Sequence, residues 1–193
     1  MRSTEGRPVT DGGTAEAENR SDRFERLPST AADRRVRERP TREDVLSWWD
    51  ERFGIGPETF DGYTFWEKGA GRVWALPYDL SGPVEIEALG LPVLRTRQEF
   101  WKPTTDAVQR FGTAATRNVV ELTDEQAARF LAGDDQDVEW AGDWGYLIGT
   151  HDVADAVEPI GVGLYTYGTL QSMIPKGRRR EFADERPDGT GDA

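Results

Sequence analysis

The 193-residue chain carries 36 acidic against 24 basic residues, a net charge of -12, and its 36% hydrophobic content supports a modest core in one large or two small domains, two being expected. The absence of cysteine excludes disulfides, thiolate metal sites and a cysteine nucleophile, and a single histidine, His151, excludes a multi-histidine metal centre. No apolar run approaches the ~20 residues of a membrane helix and no signal-peptide core opens the chain, so a soluble cytoplasmic protein without membrane contact is expected.

Only Lys68, Lys102 and Lys176 are lysines, and so large an excess of acid suits a salt-rich cytoplasm; an ordinary acidic protein is the plainer alternative. Residues 1–40 hold nine arginines among Glu, Asp, Gly, Thr and Pro, with few apolar residues and no period, and read as a disordered tail. Thr41 with Asp44 opens a helix whose Val45, Leu46, Trp49 and Phe53 recur at helical spacing until Gly54. Phe60, Tyr63, Phe65, Trp66 and Trp74 then mark two strands around Gly69-Ala70-Gly71. Aromatics this dense serve either as a base-stacking platform or as a small core, the core being the simpler use.

VEIEA and PVLRT, within 84–97, read as two further strands parted by Gly90, with Arg95 and Arg97 on one face. A two-turn helix follows over 101–112, entered by Pro103, capped by Thr104 or Thr105 and stopped by Gly112. From Val93 to Val120 the bases Arg95, Arg97, Lys102, Arg110 and Arg117 face only Glu99 and Asp106, a basic island. Asn118–Leu122 is a predicted strand, and Thr123 with Gln126 caps a helix running to Gly133. Glu121 to Ile160 holds eleven acids and one base, Arg129. Within it Trp144–Thr150 alternates as a strand and feeds a hairpin, in which Ile160, Val162 and Leu164 oppose Gly161, Gly163, Tyr165 and Tyr167, with the turn at Gly168-Thr169. Lys176, Arg178, Arg179 and Arg180 then form a second basic island. A helix amid successive strands and a hairpin predicts a small β-barrel with one helical plug.

Catalytic constellations are thin. Thr104, Thr105 and Asp106 are better explained by capping, His151 beside Asp152 by solvation, and the Asp134, Asp135, Asp137 and Glu139 carboxylates by a solvated loop rather than a hard-cation site. Neither GIG at 54–56 nor GVG at 161–163 is a dinucleotide fingerprint. No enzyme activity, metal or cofactor is expected.

The run WKPTTDAVQRFG, ATRNVVELTDEQAARFLAGDD, WGYLIG and IGVGLYTYGTLQSMIPKGRR resembles the carboxy-terminal PUA-type region of Sun/Fmu-class rRNA cytosine-5 methyltransferases and of related archaeal ribosome-biogenesis proteins. The resemblance spans about residues 41–180 and is strongest from Lys102 to Arg178, with 41–97 similar to the companion domain that precedes PUA. It implies an α+β chain: a tail at 1–40, a small pre-PUA-like α/β domain at 41–112, a PUA-like β-barrel with short helices at 113–180, and a second tail at 181–193. It also implies RNA contacts at the Gly133 turn, at Tyr165 and Tyr167, and at Lys176, Arg178 and Arg179. The tyrosines are equally suited to stacking bases and to packing the barrel. The basic residues Arg95, Arg97, Lys102, Arg110 and Arg117 join this candidate surface. The methyltransferases' catalytic domain, methyl-donor motif and cysteine have no counterpart here.

The expected function is therefore that of a non-catalytic binder of structured RNA, acting on rRNA or tRNA in RNA modification or ribosome biogenesis, or as a targeting partner of a separate RNA methyltransferase. The alternative is an adaptor that docks a ribosomal protein or a modification enzyme without touching RNA. A small enzyme using Thr105, Asp106 and His151 is the remaining reading. Replacing Lys176, Arg178 and Arg179 together by Ala is expected to lower RNA affinity and leave the fold intact.

Overall fold

A computed structural model describes residues 23–179. An antiparallel sheet runs in chain order through β1 (Phe24–Arg26), β2 (Thr64–Lys68), β3 (Arg72–Leu76), β4 (Leu91–Arg95) and β5 (Lys102–Pro103). The first of these strands corrects the expectation of a tail through residue 40. Phe24 is fully buried and Leu27 nearly so, and Phe24 stands edge-on to Trp74 at 5.4 Å in a small core with Trp66, Leu76 and Leu89. Two well-placed apolar side chains suffice to anchor a segment whose average composition is polar. Arg39 completes the anchor, its guanidinium lying 2.8 Å from the buried Glu67 carboxylate and 2.7 Å from Glu25. The outer parts of both expected tails, 1–22 and 180–193, lie outside the described residues.

VEIEA is not a strand. Only Val84 forms a bridge, to Phe24, while Glu85, Ile86 and Glu87 are exposed. The segment meets the outer edge of β1 at that single bridge, through Phe24 N–H to Val84 O at 2.8 Å and Val84 N–H to Phe24 O at 3.0 Å, and the pairing goes no further.

The three helices follow their caps. In α1 (Arg42–Phe53) Thr41 and Asp44 bond reciprocally, and Val45, Trp49 and Phe53 turn inward. Thr104 accepts from Ala107 N–H to start α2 (Thr105–Phe111), and Thr123 accepts from Gln126 N–H to start α3 (Asp124–Ala132). A second five-stranded sheet comprises β6 (Val119–Glu121), β7 (Gln136–Asp137), β8 (Gly145–Val153), β9 (Ala156–Thr166) and β10 (Thr169–Ser172), in the order β6-β8-β9-β10-β7. The β6–β8 pair is parallel, with α3 and β7 in the crossover, and the other pairs are antiparallel. The β9–β10 turn is Tyr167-Gly168, one residue earlier than expected. Both have positive φ, 51° and 88°, as a two-residue hairpin turn with the right twist requires.

Packing makes β9 a central strand covered on both faces, rather than the half-buried strand its alternation predicted. Val162 and Ile148 join a core with α1, α2 and the inner face of the first sheet, so the two halves of the chain share one apolar interior across residue 112. On the other face Phe130 of α3 fills the curl of the second sheet with Leu122, Leu147, Tyr165, Leu170 and Ile174. Three glycines form the floor beneath this ring. A Cβ at Gly149, Gly161 or Gly163 would lie 3.4, 3.1 or 3.1 Å from its edge atoms. The architecture is α+β: two sheets, the second curled into a PUA-like barrel, with short helices between the strands.

Candidate nucleic-acid interface

Strand register brings together a group of cations that chain order separates. Arg72 of β3 pairs directly with Arg95 of β4, and Arg95 pairs directly with Lys102 of β5. Residues opposite one another in a ladder project from the same face, so the three stand abreast while their neighbours Val73, Leu94 and Pro103 are buried on the other side. Like charges directly opposite destabilise a sheet. None of the three has an ion-pair partner among the described residues. Burial, and then the Arg95 charge, pull the half-buried Lys102 ammonium below its ordinary pKa.

Two further exposed cations follow in the chain on residues that touch this row or lie within three residues of one that does. The backbone of Arg97 packs against Gly71, next to Arg72, and its side chain is exposed. At the other end Lys102 Nζ lies 3.1 Å from Met173 Sδ, three residues before the exposed Lys176. Arg72 escaped the sequence reading because its charge becomes significant only through cross-strand register. Its position immediately after the Gly69–Gly71 turn, on a strand that returns beside Arg95, was the available signal.

The structure separates the remaining candidates from this row. Arg178 binds Asp106, and its Nη1 donates to Gln109 Oε1 at 3.1 Å, which ties the end of the described chain to α2. Arg179 lies over Gly133, a left-handed helix cap, and donates from Nε to Ile174 O at 2.8 Å and from Nη2 to Ser172 O at 3.3 Å. Removing both arginines would strip internal contacts, so the expectation that Lys176, Arg178 and Arg179 can be deleted together without harm to the fold is revised. Arg110 reaches the Tyr63 hydroxyl at 3.2 Å, and Arg117 faces Asp50 at 3.7 Å. Tyr165 is 7% exposed in the barrel core, which decides it for packing, whereas Tyr167 at the hairpin turn is 82% exposed. The glycines Gly161 and Gly163 admit Ile174 and Leu170, with Phe130 beside them, rather than a phosphate. Thr105 is buried at the start of α2, Asp106 is engaged by Arg178, and His151 Nδ1 lies 3.0 Å from Leu122 O.

A second surface feature was not read from the sequence as a unit. Trp48 of α1, Phe100 and Trp101 of the β4–β5 loop, and Trp144 and Tyr146 at the start of β8 line an open cleft of about 1020 Å³. Trp144 also meets the exposed Tyr167, with ring centroids 4.3 Å apart. The carboxylates at the cleft are Asp44, Glu51 and Glu99, and its cation is Arg52. Arg52 donates from Nε and Nη2 to Tyr146 O at 2.8 and 2.6 Å.

A parallel β6–β8 pair bridged by α3, closed by the β9–β10 hairpin around one aromatic plug, defines the carboxy-terminal half as a PUA-like domain. Comparison with known families agrees: residues 117–180 match the model described as the methyltransferase RsmF PUA domain, so this part of the chain is a PUA-like domain resembling the one on that methyltransferase. Residues 10–90 match a second model, a family of unknown function, DUF7122, which adds no activity to the amino-terminal half. No curated protein matches the chain. Among the described residues no helix is long and apolar enough to cross a membrane.

Proposed function

We propose that this protein binds structured RNA, rRNA or tRNA, without catalysing a reaction, and serves RNA modification or ribosome biogenesis, either directly or as a targeting partner of a separate RNA methyltransferase. The observation that carries the reading is the row Arg72, Arg95 and Lys102, held abreast against their mutual repulsion with no ion-pair partner among the described residues, in a chain of net charge -12. A polyanion relieves that repulsion. Arg97 and Lys176 continue the track at its two ends, and phosphates spaced along an RNA strand fit such a line of cations. The PUA-like match supports the same reading. In a salt-rich cytoplasm counterion release contributes less, so hydrogen bonds from the arginine forks to phosphate oxygens carry more of the affinity.

The test is the salt dependence of binding to an RNA hairpin, followed by fluorescence anisotropy. Replacing Arg72, Arg95 and Lys102 together by Ala is expected to reduce the slope of log K against log salt by about 2 to 3. An unchanged slope and affinity in a folded variant overturns the assignment. The adaptor reading is favoured by a different observation, the aromatic cleft.

A further inference from the structure

We propose that the cleft between α1, the β4–β5 loop and the start of β8 is a second binding site, which takes an arginine- or lysine-bearing peptide segment of a partner protein. Soluble domains seldom leave large aromatic side chains grouped in solvent, yet Phe100 is 74% exposed and Trp144 is 55% exposed, both at this one opening. Trp48, Trp101 and Tyr146 form its half-buried walls. Such faces suit either a nucleobase or a cation, and the charges around them decide between the two.

Glu51 and Glu99 have no hydrogen-bond or ion-pair partner among the described residues, and both are exposed at the cleft. Asp44 lies there too, already holding Arg34 at 2.9 Å. The cation on the lining, Arg52, donates to the Tyr146 carbonyl and keeps its charge, but three carboxylates outnumber it. Burial pushes the Tyr146 phenol up, so it presents a neutral ring. The opening therefore offers aromatic faces and free carboxylates. That combination repels a phosphate backbone and attracts a guanidinium or ammonium group, which gains from the ring quadrupole and the carboxylate together. A volume of about 1020 Å³ exceeds what one side chain fills and lies at the upper end of the range for drug-sized ligands, about 300–1,000 Å³, so a segment of several residues is the occupant that fits. The basic row begins on the same loop, at Arg97, so RNA and a protein partner would occupy neighbouring faces without competing.

The probe is a capped Gly-Arg-Gly-Arg-Gly peptide titrated into the full-length protein, with intrinsic tryptophan fluorescence as the readout. Saturable quenching is expected, and the same peptide with citrulline in place of arginine is expected to bind about tenfold more weakly. Glu51→Gln combined with Glu99→Gln, and separately Phe100→Ala, are expected to produce comparable losses. These side chains are exposed, so circular dichroism should show an unchanged fold. Equal binding of the citrulline peptide, or full affinity in both variants, overturns the proposal. Tighter binding of spermidine than of a peptide of equal charge replaces the peptide by a small polyamine. Binding of oligo-uridine that the Glu-to-Gln changes strengthen and Phe100→Ala abolishes makes the cleft a base-stacking site instead.

Discussion

Two stretches of this chain are equally basic on paper and differ in what they do with the charge. At the carboxy-terminal end of the described residues, Arg178 is bound by Asp106 and Gln109, and Arg179 donates to two main-chain carbonyls. Across β3, β4 and β5, Arg72, Arg95 and Lys102 face one another with no ion-pair partner among the described residues. The first group holds the fold together. The second is held in place by the fold, at some cost in repulsion, and is available to a ligand. A guanidinium with both edges occupied by internal acceptors has few donors left for phosphate, so the arrangement of partners, and not the number of bases, separates structural from binding arginines.

That contrast is broken or sharpened most strongly at Arg95, the middle of the row. Arg95→Glu places a carboxylate between two cations, and RNA affinity at fixed salt is expected to fall by roughly 10- to 100-fold. Folding stability should rise by about 0.2–1 kcal/mol in the same variant, since an opposite-charge pair replaces a like-charge one. Anisotropy and urea unfolding read the two opposite signs. Arg179→Ala should do the reverse: losing the donor to Ile174 and Ser172 is expected to lower stability by about 1–2 kcal/mol with less than a twofold change in RNA affinity. Arg178→Ala should cost about 0.5–1 kcal/mol, because that pair is partly solvated.

The smallest effect is titration of Lys102. Its folded pKa is depressed, so between that value and the unfolded one the unfolded chain binds more protons and stability rises with pH. Phosphate beside it restores the charge. RNA should therefore raise the Lys102 pKa and bind more weakly as pH climbs through the same window. With three lysines in the chain, carbon-detected NMR of the lysine side chains resolves the shift; an unmoved Lys102 resonance on RNA addition separates it from the interface.

Much of this organisation is local and could be read from sequence. Thr41 with Asp44, Thr104 and Thr123 with Gln126 announce their helices, because a cap is satisfied within four residues. The β2–β3 and β9–β10 hairpins are likewise carried by their turns. Long-range features were hidden. Nothing near Arg72 says that it will face Arg95, and nothing in residues 23–40 says that Phe24 will meet Trp74 or that Arg39 will meet Glu67. Tyr165 and Tyr167 differ by two residues and share a predicted face, yet one is core and the other caps a turn. Period alone failed there because the hairpin turn lies one residue earlier than the glycine suggested. The aromatic cleft draws on α1, the β4–β5 loop and β8, and only folding assembles it.

The ring of Phe130 on its glycine floor has a consequence for how this sequence can change. Gly149, Gly161 and Gly163 are not three independent positions, because a Cβ at each would crowd the same aromatic plug, together with Leu122 at 3.3 Å, Ile174 at 2.6 Å and Leu170 at 2.6 Å respectively. Phe130→Ala should cost about 3–5 kcal/mol by opening a cavity, and Gly163→Ala about 1–3 kcal/mol by overfilling one. Made together, each change offsets part of the other's damage, and a double-mutant cycle should return a favourable coupling of about 0.5–3 kcal/mol. Substitutions here are therefore expected to be accepted in combination, an alanine at Gly161 or Gly163 being accompanied by a smaller side chain at Ile174 or Leu170 as well as by a smaller plug.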